Sequence, residues 1–148
     1  MQIKELSVDI ETYCDVDLRK TGVYRYAEDE SFEILLLAVS INNAPVIVYD
    51  LTKDKLPNLI LQALIDDTVI KWAFNATFER ICLSNWIKKH YPTLLNENFL
   101  SPKSWRCSMI WAAYLGLPLS LEGVGTILKL SEQKLKVGSE LIRYLPSL

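Results

Sequence analysis

The chain has 148 residues, 50% of them apolar, and a net charge of −2. That is enough apolar material for one hydrophobic core and a single domain. Three scattered cysteines (Cys14, Cys82, Cys107) are too few for a disulfide framework or a zinc site, and no apolar run approaches the roughly 18 residues of a membrane helix.

MQIKELSVD lacks the basic-then-apolar layout of a secretory signal, so the expectation is a reduced, cytoplasmic protein with no membrane partner. Residues 1–74 carry 7 basic and 13 acidic side chains, and residues 75–148 carry 9 and 5. That segregation is too mild to name a partner.

In chain order, Ile3–Glu11 alternates Leu6, Val8 and Ile10 with Glu5, Ser7, Asp9 and Glu11, the period-two pattern of a strand. Asp9 and Glu11 point the same way, about 6.6 Å apart at Cα. Such a pair can hold a divalent cation, although it also fits the solvated face of an edge strand. Residues 12–32 are polar and poorly periodic and read as a loop with one short turn. Its Lys20, Tyr24, Arg25 and Tyr26 are able to contact phosphates or bases.

Glu33–Ile41 predicts a strand buried on both faces in its middle, with Asn42-Asn43 turning it into a second strand, Pro45–Tyr49. A helical stripe follows at Leu59, Ile60, Ala63 and Leu64 within Thr52–Asp67. Thr68–Phe74 reads as a short apolar strand, and Asn75 as the cap of a helix, Thr77–Lys89, whose Phe78, Ile81, Cys82 and Leu83 face the core.

Residues 91–105 read as a loop or broken helix and Arg106–Leu115 as a helix ended by Gly116 and Pro118. Ser120 and Ser131 cap two more, through Leu130 and from Glu132 to about Leu145. The order β-β-β-α-β-α predicts an α/β fold, a mixed sheet with helices on its faces and the first strand, Ile3–Ile10, placed centrally. Ligands gather at the carboxyl ends of such strands. Asp9, Glu11 and Glu79, the last in the first turn of the helix leaving the Thr68–Phe74 strand, are therefore expected to meet at one sheet edge.

Several other residues have ordinary readings. His90 fits a surface helix end, and Trp72, Trp105 and Trp111 fit a core better than a base-stacking platform. Gly123-Val124-Gly125 lacks the lysine and preceding strand of a phosphate loop. Cys14 and Cys82 have no histidine beside them to make a nucleophile. Lys71 and Arg80 are candidates for phosphate contacts, set against simple solvation.

The segments VDIETY (8–13), TGVYRYAEDESFEILLLA (21–38), KWAFNATFERICL (71–83), WRCSMIWAAYLGLPLSLEGVG (105–125) and KLKVGSELIRY (134–144) resemble the 3′–5′ proofreading exonuclease domain of bacteriophage or prophage family A DNA polymerases. These belong to the four-carboxylate (DEDD) exonucleases with a ribonuclease-H-like fold, and the resemblance runs over essentially the whole chain. It implies two-metal hydrolysis at DNA 3′ ends. Asp9 and Glu11 match the first motif, with Asp9 bridging the two metals. Glu79 stands where the second motif has an aspartate, one methylene longer.

Thr12, Tyr13, Asn75 and Phe78 are the nucleic-acid contacts expected beside them, with Lys71 and Arg80 on phosphates. The third motif, Tyr or His followed by an aspartate, is not matched: Tyr144 precedes only Leu145, Pro146, Ser147 and Leu148, and Glu122, Glu132 and Glu140 do not fit its spacing. Cys107 replaces the family's aspartate at the next helix start, which removes a cap.

Two cations about 3.5–4 Å apart would activate water and stabilise the transferring phosphoryl group, and hard oxygen ligands suit Mg²⁺ or Mn²⁺. With three matched carboxylates the second metal site is incomplete. Weak or no turnover is therefore expected from this chain alone, on a single-stranded DNA 3′ end, with the remainder of a DNA polymerase as the expected partner. The alternative is a non-hydrolytic DNA-binding or polymerase scaffold domain that keeps the fold.

Overall fold

The computed structural model describes residues 1–132. Its elements are β1 (Glu5–Tyr13), α1 (Leu18–Glu28), β2 (Glu33–Ile41), β3 (Ile47–Asp50), α2 (Asn58–Ile65), β4 (Ile70–Ala73), α3 (Ala76–His90), β5 (Trp105–Cys107), α4 (Ser108–Tyr114) and α5 (Leu121–Ile127). The strands form one sheet in the order β3-β2-β1-β4-β5. β1 is central, antiparallel to β2 and parallel to β4, and β5 extends the parallel half. Parallel neighbours need a crossover, and α2 and α3 supply the two required here. The mixed sheet and the central first strand are as the sequence predicts, and the fold is ribonuclease-H-like.

The alternation of β1 divides the sheet into two unlike faces. Leu6, Val8 and Ile10 are buried in a core shared with Ile34, Leu37, Val39, Ile81, Leu83 and Ile87, whereas Ser7, Asp9 and Glu11 lie exposed on the other face. Each buried aliphatic side chain contributes about 1.5–3 kcal/mol. α1 and α3 pack together on the core side. On the other face, α4 reaches the sheet through Trp111, whose ring lies 5.9 Å from that of Trp72.

The β2–β3 hairpin turns at Asn42 and Asn43, both at positive φ (50° and 61°). Asparagine tolerates that conformation, and a tight hairpin requires it. Asn42 also ties down the start of the chain. Its Oδ1 accepts the backbone N–H groups of Lys4 (2.9 Å) and Glu5 (3.1 Å), and its Nδ2 donates to the Gln2 carbonyl (3.0 Å).

Several expectations need correction. Residues 18–28, read as loop, form α1, capped by the Asp17 side chain accepting from the Arg19 N–H. Gly22, at φ 79°, breaks the helix in its middle, so its two halves share no single 3.6-residue stripe. β5 is only three residues long and sits inside a stretch read as loop and helix. The middle of β2 is not buried on both faces, because Leu36 is 38% exposed. In α2 the buried stripe uses Leu61, and Leu59 is exposed. The helix expected from Glu132 to Leu145 and the segment 134–144 lie outside the described residues.

Candidate active site

Asp9 and Glu11 come from the exposed face of β1, near the carboxyl end where parallel neighbours leave a crevice. Glu79 comes from the first turn of α3, directly after β4. Its side chain is only 5% exposed, and its Oε2 has no hydrogen-bond partner among the described residues. The other buried orphan atoms in that part of the chain, on Asn85, Ser104 and Trp105, belong to neutral groups.

Burial pushes the Glu79 carboxyl up to about 7; its own backbone N–H pulls the other way, and the negative charge of Asp9 raises it further. The charge of Asp9 thus reaches the Glu79 carboxyl. A buried carboxylate facing another carboxylate costs free energy unless a positive charge compensates it. The donor set thus fits a hard divalent cation in part. Among the described residues, however, no three His, Cys, Asp or Glu side chains are gathered closely enough to hold a metal ion.

The other expected contacts are spread more widely. The Thr12 hydroxyl lies 2.8 Å from the Tyr26 hydroxyl, and the Tyr13 hydroxyl donates to Asp15 at 2.6 Å. Asn75 occupies the N-cap position of α3 without a side-chain capping bond, so the predicted cap is absent. Phe78 is half-buried against Tyr26.

Lys71 is wholly buried, and its ammonium donates to the Asp66 carbonyl at 2.7 Å. It points into the packed side of β4, which removes it from the reach of a phosphate. The Arg80 guanidinium is turned onto the Leu100 carbonyl at 3.0 Å, on a surface formed with residues 94–103.

Beside Asp9 the open face of the sheet forms a groove of about 310 Å³ that includes Ser7, Ser40, Trp72, Phe74 and Ser108. Of the tryptophans read as core, only Trp105 is fully buried. Trp72 is half-buried in the groove and Trp111 is 58% exposed. The alternation of β4 carries a signal for this: Lys71 and Ala73 share the buried face, so Trp72 must take the other. Cys107 starts α4 without a side-chain cap, and its thiol lies 3.3 Å from the Phe74 carbonyl. His90 pairs with Glu33 at the surface, 3.2 Å away.

No family model matches the chain. Over 143 residues it is 48% identical to a DNA polymerase of Bacillus phage SP02, a match covering 96% of this chain and 21% of that protein. The chain thus spans about a fifth of its relative's length.

Among solved structures it is similar to Brucella melitensis NrnC, with TM-score 0.59 and 17% identity over 91% of this chain and 56% of that one. The same protein with bound Mg²⁺ matches at TM-score 0.59 and 16% identity, covering 91% and 57%. Bound to pGG it matches at TM-score 0.54 and 19% identity, covering 91% and 56%. These likenesses bear out the resemblance to phage DNA polymerases and the fold read from the sequence.

Proposed function

The chain is homologous to a segment of a phage DNA polymerase and carries a ribonuclease-H-like fold, and from that premise we propose that it is a 3′–5′ exonuclease domain of a DNA polymerase. Its substrate would be a single-stranded DNA 3′ end. The observation that carries this reading is the buried carboxyl of Glu79, whose Oε2 has no partner among the described residues, set in the field of Asp9.

Asp9, Glu11 and Glu79 would hold Mg²⁺ or Mn²⁺. That a structural relative is known with bound Mg²⁺ and another form of it bound to pGG supports a cation and a nucleic acid here. When bound, the metal ions lower the pKa of the attacking water and stabilise charge on the phosphoryl group. The chain's own residues set the geometry. Asp9 and Glu11 project from β1 where it is paired with β2, Glu79 projects from a helix start, and Thr12, Tyr13, Asn75 and Phe78 border them for nucleic acid. Arg80 would need to leave Leu100 to reach a phosphate.

Within these 148 residues three of the family's four carboxylates are matched, so turnover by this chain alone is expected to be weak. A second reading, a non-hydrolytic DNA-binding or scaffold domain, is favoured by one observation: the three carboxylates are not gathered as a ligand group among the described residues.

Degradation of a 3′-labelled single strand in Mg²⁺ and in Mn²⁺ separates the two. The comparison is between this chain, its Asp9→Ala variant, and a chimera continued into the phage polymerase sequence that flanks the match. Asp9-dependent release of nucleotides, weak in the chain and stronger in the chimera, is the expected result. Salt-sensitive DNA binding with no Asp9-dependent release from either protein would select the scaffold.

A further inference from the structure

The backbone is irregular beside each of two carboxylates, Glu11 and Glu79. The β1–β2 ladder pairs Leu6 through Glu11 with Ile41 through Leu36, slips by one residue between Glu11 and Thr12, and resumes at Thr12 with Ile34 and Tyr13 with Glu33, so the strand is irregular immediately after Glu11. At the other side, α3 begins at Asn75 with no side-chain cap bond, so the turn bearing Glu79 lacks the usual anchor of a helix start.

One side chain meets both places. Tyr26 is 8% exposed. Its hydroxyl lies 2.8 Å from Thr12 Oγ1, the residue after Glu11. Its ring lies 6.3 Å, centroid to centroid and at 39°, from Phe78, the residue before Glu79. Phe32 packs on it edge-on at 5.6 Å and 68°, so the ring lies against both Phe32 and Phe78. Gly22 makes this placement possible, because the break at φ 79° frees residues 23–28 from the direction set by the Asp17 cap.

We infer that Tyr26 is a positioning residue that fixes the spacing between Glu11 and Glu79, holding one through Thr12 and the other through Phe78. The inference rests on the reading of those carboxylates as a cation-binding set. It assigns to α1 a role in that site although α1 contributes no ligand. Partners that orient ligands in this way commonly govern metal affinity by a factor of roughly 10–100.

The test compares the full chain with Tyr26→Phe, which keeps the ring and removes only the hydroxyl, and with Tyr24→Phe. The latter alters an exposed tyrosine of the same helix that packs on Phe99. Calorimetric titration with Mn²⁺ should show affinity falling roughly tenfold in Tyr26→Phe and unchanged in Tyr24→Phe. Amide spectra of the metal-free proteins should show Tyr26→Phe displacing resonances at Glu11–Thr12, and Tyr26→Ala, which also removes the ring, displacing those at Phe78–Glu79 as well.

Displacement confined to Thr12 in Tyr26→Ala, or unchanged Mn²⁺ affinity in Tyr26→Phe alongside a wild type that binds, would overturn the inference. If wild type binds no Mn²⁺, the cation reading fails separately. The amide spectra then decide the positioning role alone, for or against, by whether both motifs move.

Discussion

The start of β4 and the start of α3 each bury an ionisable side chain, and the two are treated in opposite ways. Lys71 is wholly inside, but its ammonium donates to the Asp66 carbonyl at 2.7 Å. Burial pulls it down to about 8 while the nearby charges of Asp67 and Asp66 hold it up. Glu79 is nearly as buried, has one oxygen without a partner among the described residues, and faces a like charge instead of an opposite one. A buried charge that the fold itself satisfies is part of the scaffold. A buried charge left unsatisfied marks a place where something else supplies the compensation.

The largest expected effect strikes the Glu79 side of this contrast. Asp9→Ala should abolish both the rise in thermal stability caused by Mn²⁺ and any nucleotide release, a loss of at least about 100-fold in turnover, because ligands of one site act as a unit. The same variant should stabilise the metal-free protein, since it removes the charge that opposes Glu79. Thermal melts with and without Mn²⁺ read both outcomes, and a metal-induced rise that survives the substitution would break the contrast.

Next comes pH. Glu79 is easier to protonate folded than unfolded, so the folded state binds more protons between its ordinary range near 4.5 and its folded value of about 7. Stability of the metal-free chain should therefore fall as pH rises through that window, by about 3 kcal/mol at most. Denaturant unfolding at a series of pH values should show the slope in wild type. It should be absent in Glu79→Gln.

Lys71 gives the mirror-image effect. Its folded value is depressed from 10.5, so its contribution should improve as pH rises from about 8 towards 10.5. Lys71→Met should stabilise the protein near pH 7 by about 1–2 kcal/mol, as apolar replacement of a buried charge often does. Mn²⁺ affinity should not change, which sharpens the division between scaffold charge and site charge.

The smallest effects concern the helix starts. Asp17→Ala removes a capping bond and should cost about 1 kcal/mol. Asn75→Ala removes none and should stay within about 0.5 kcal/mol in stability, with any consequence confined to DNA affinity.

The sheet was legible in the sequence because strong alternation and turn chemistry agree. Leu6, Val8 and Ile10 against Asp9 and Glu11 gave β1, and Asn42-Asn43 gave the hairpin. Topology puts Asp9 and Glu79 at the same end of the sheet, since β1 and β4 are parallel neighbours and α3 starts directly after β4. α1 was hidden because Gly22 splits its pattern, and with it went the role of Tyr26, which depends on two contacts distant in sequence. β5 was hidden because three residues carry no periodicity. Lys71 was misplaced because charge alone suggested the surface, whereas the alternation of β4 puts it beside Ala73 on the packed face.

The central claim is that the Glu79 carboxyl is kept buried and unpaired for a cation. Titration calorimetry with Mn²⁺ near pH 7, repeated in buffers of different ionisation heat, addresses it most directly because it counts protons released on binding. With the Glu79 carboxyl raised to about 7, binding should release protons in wild type and none in Glu79→Gln, whose affinity should also be far weaker. Equal affinity and equal proton release in the two proteins would contradict the account.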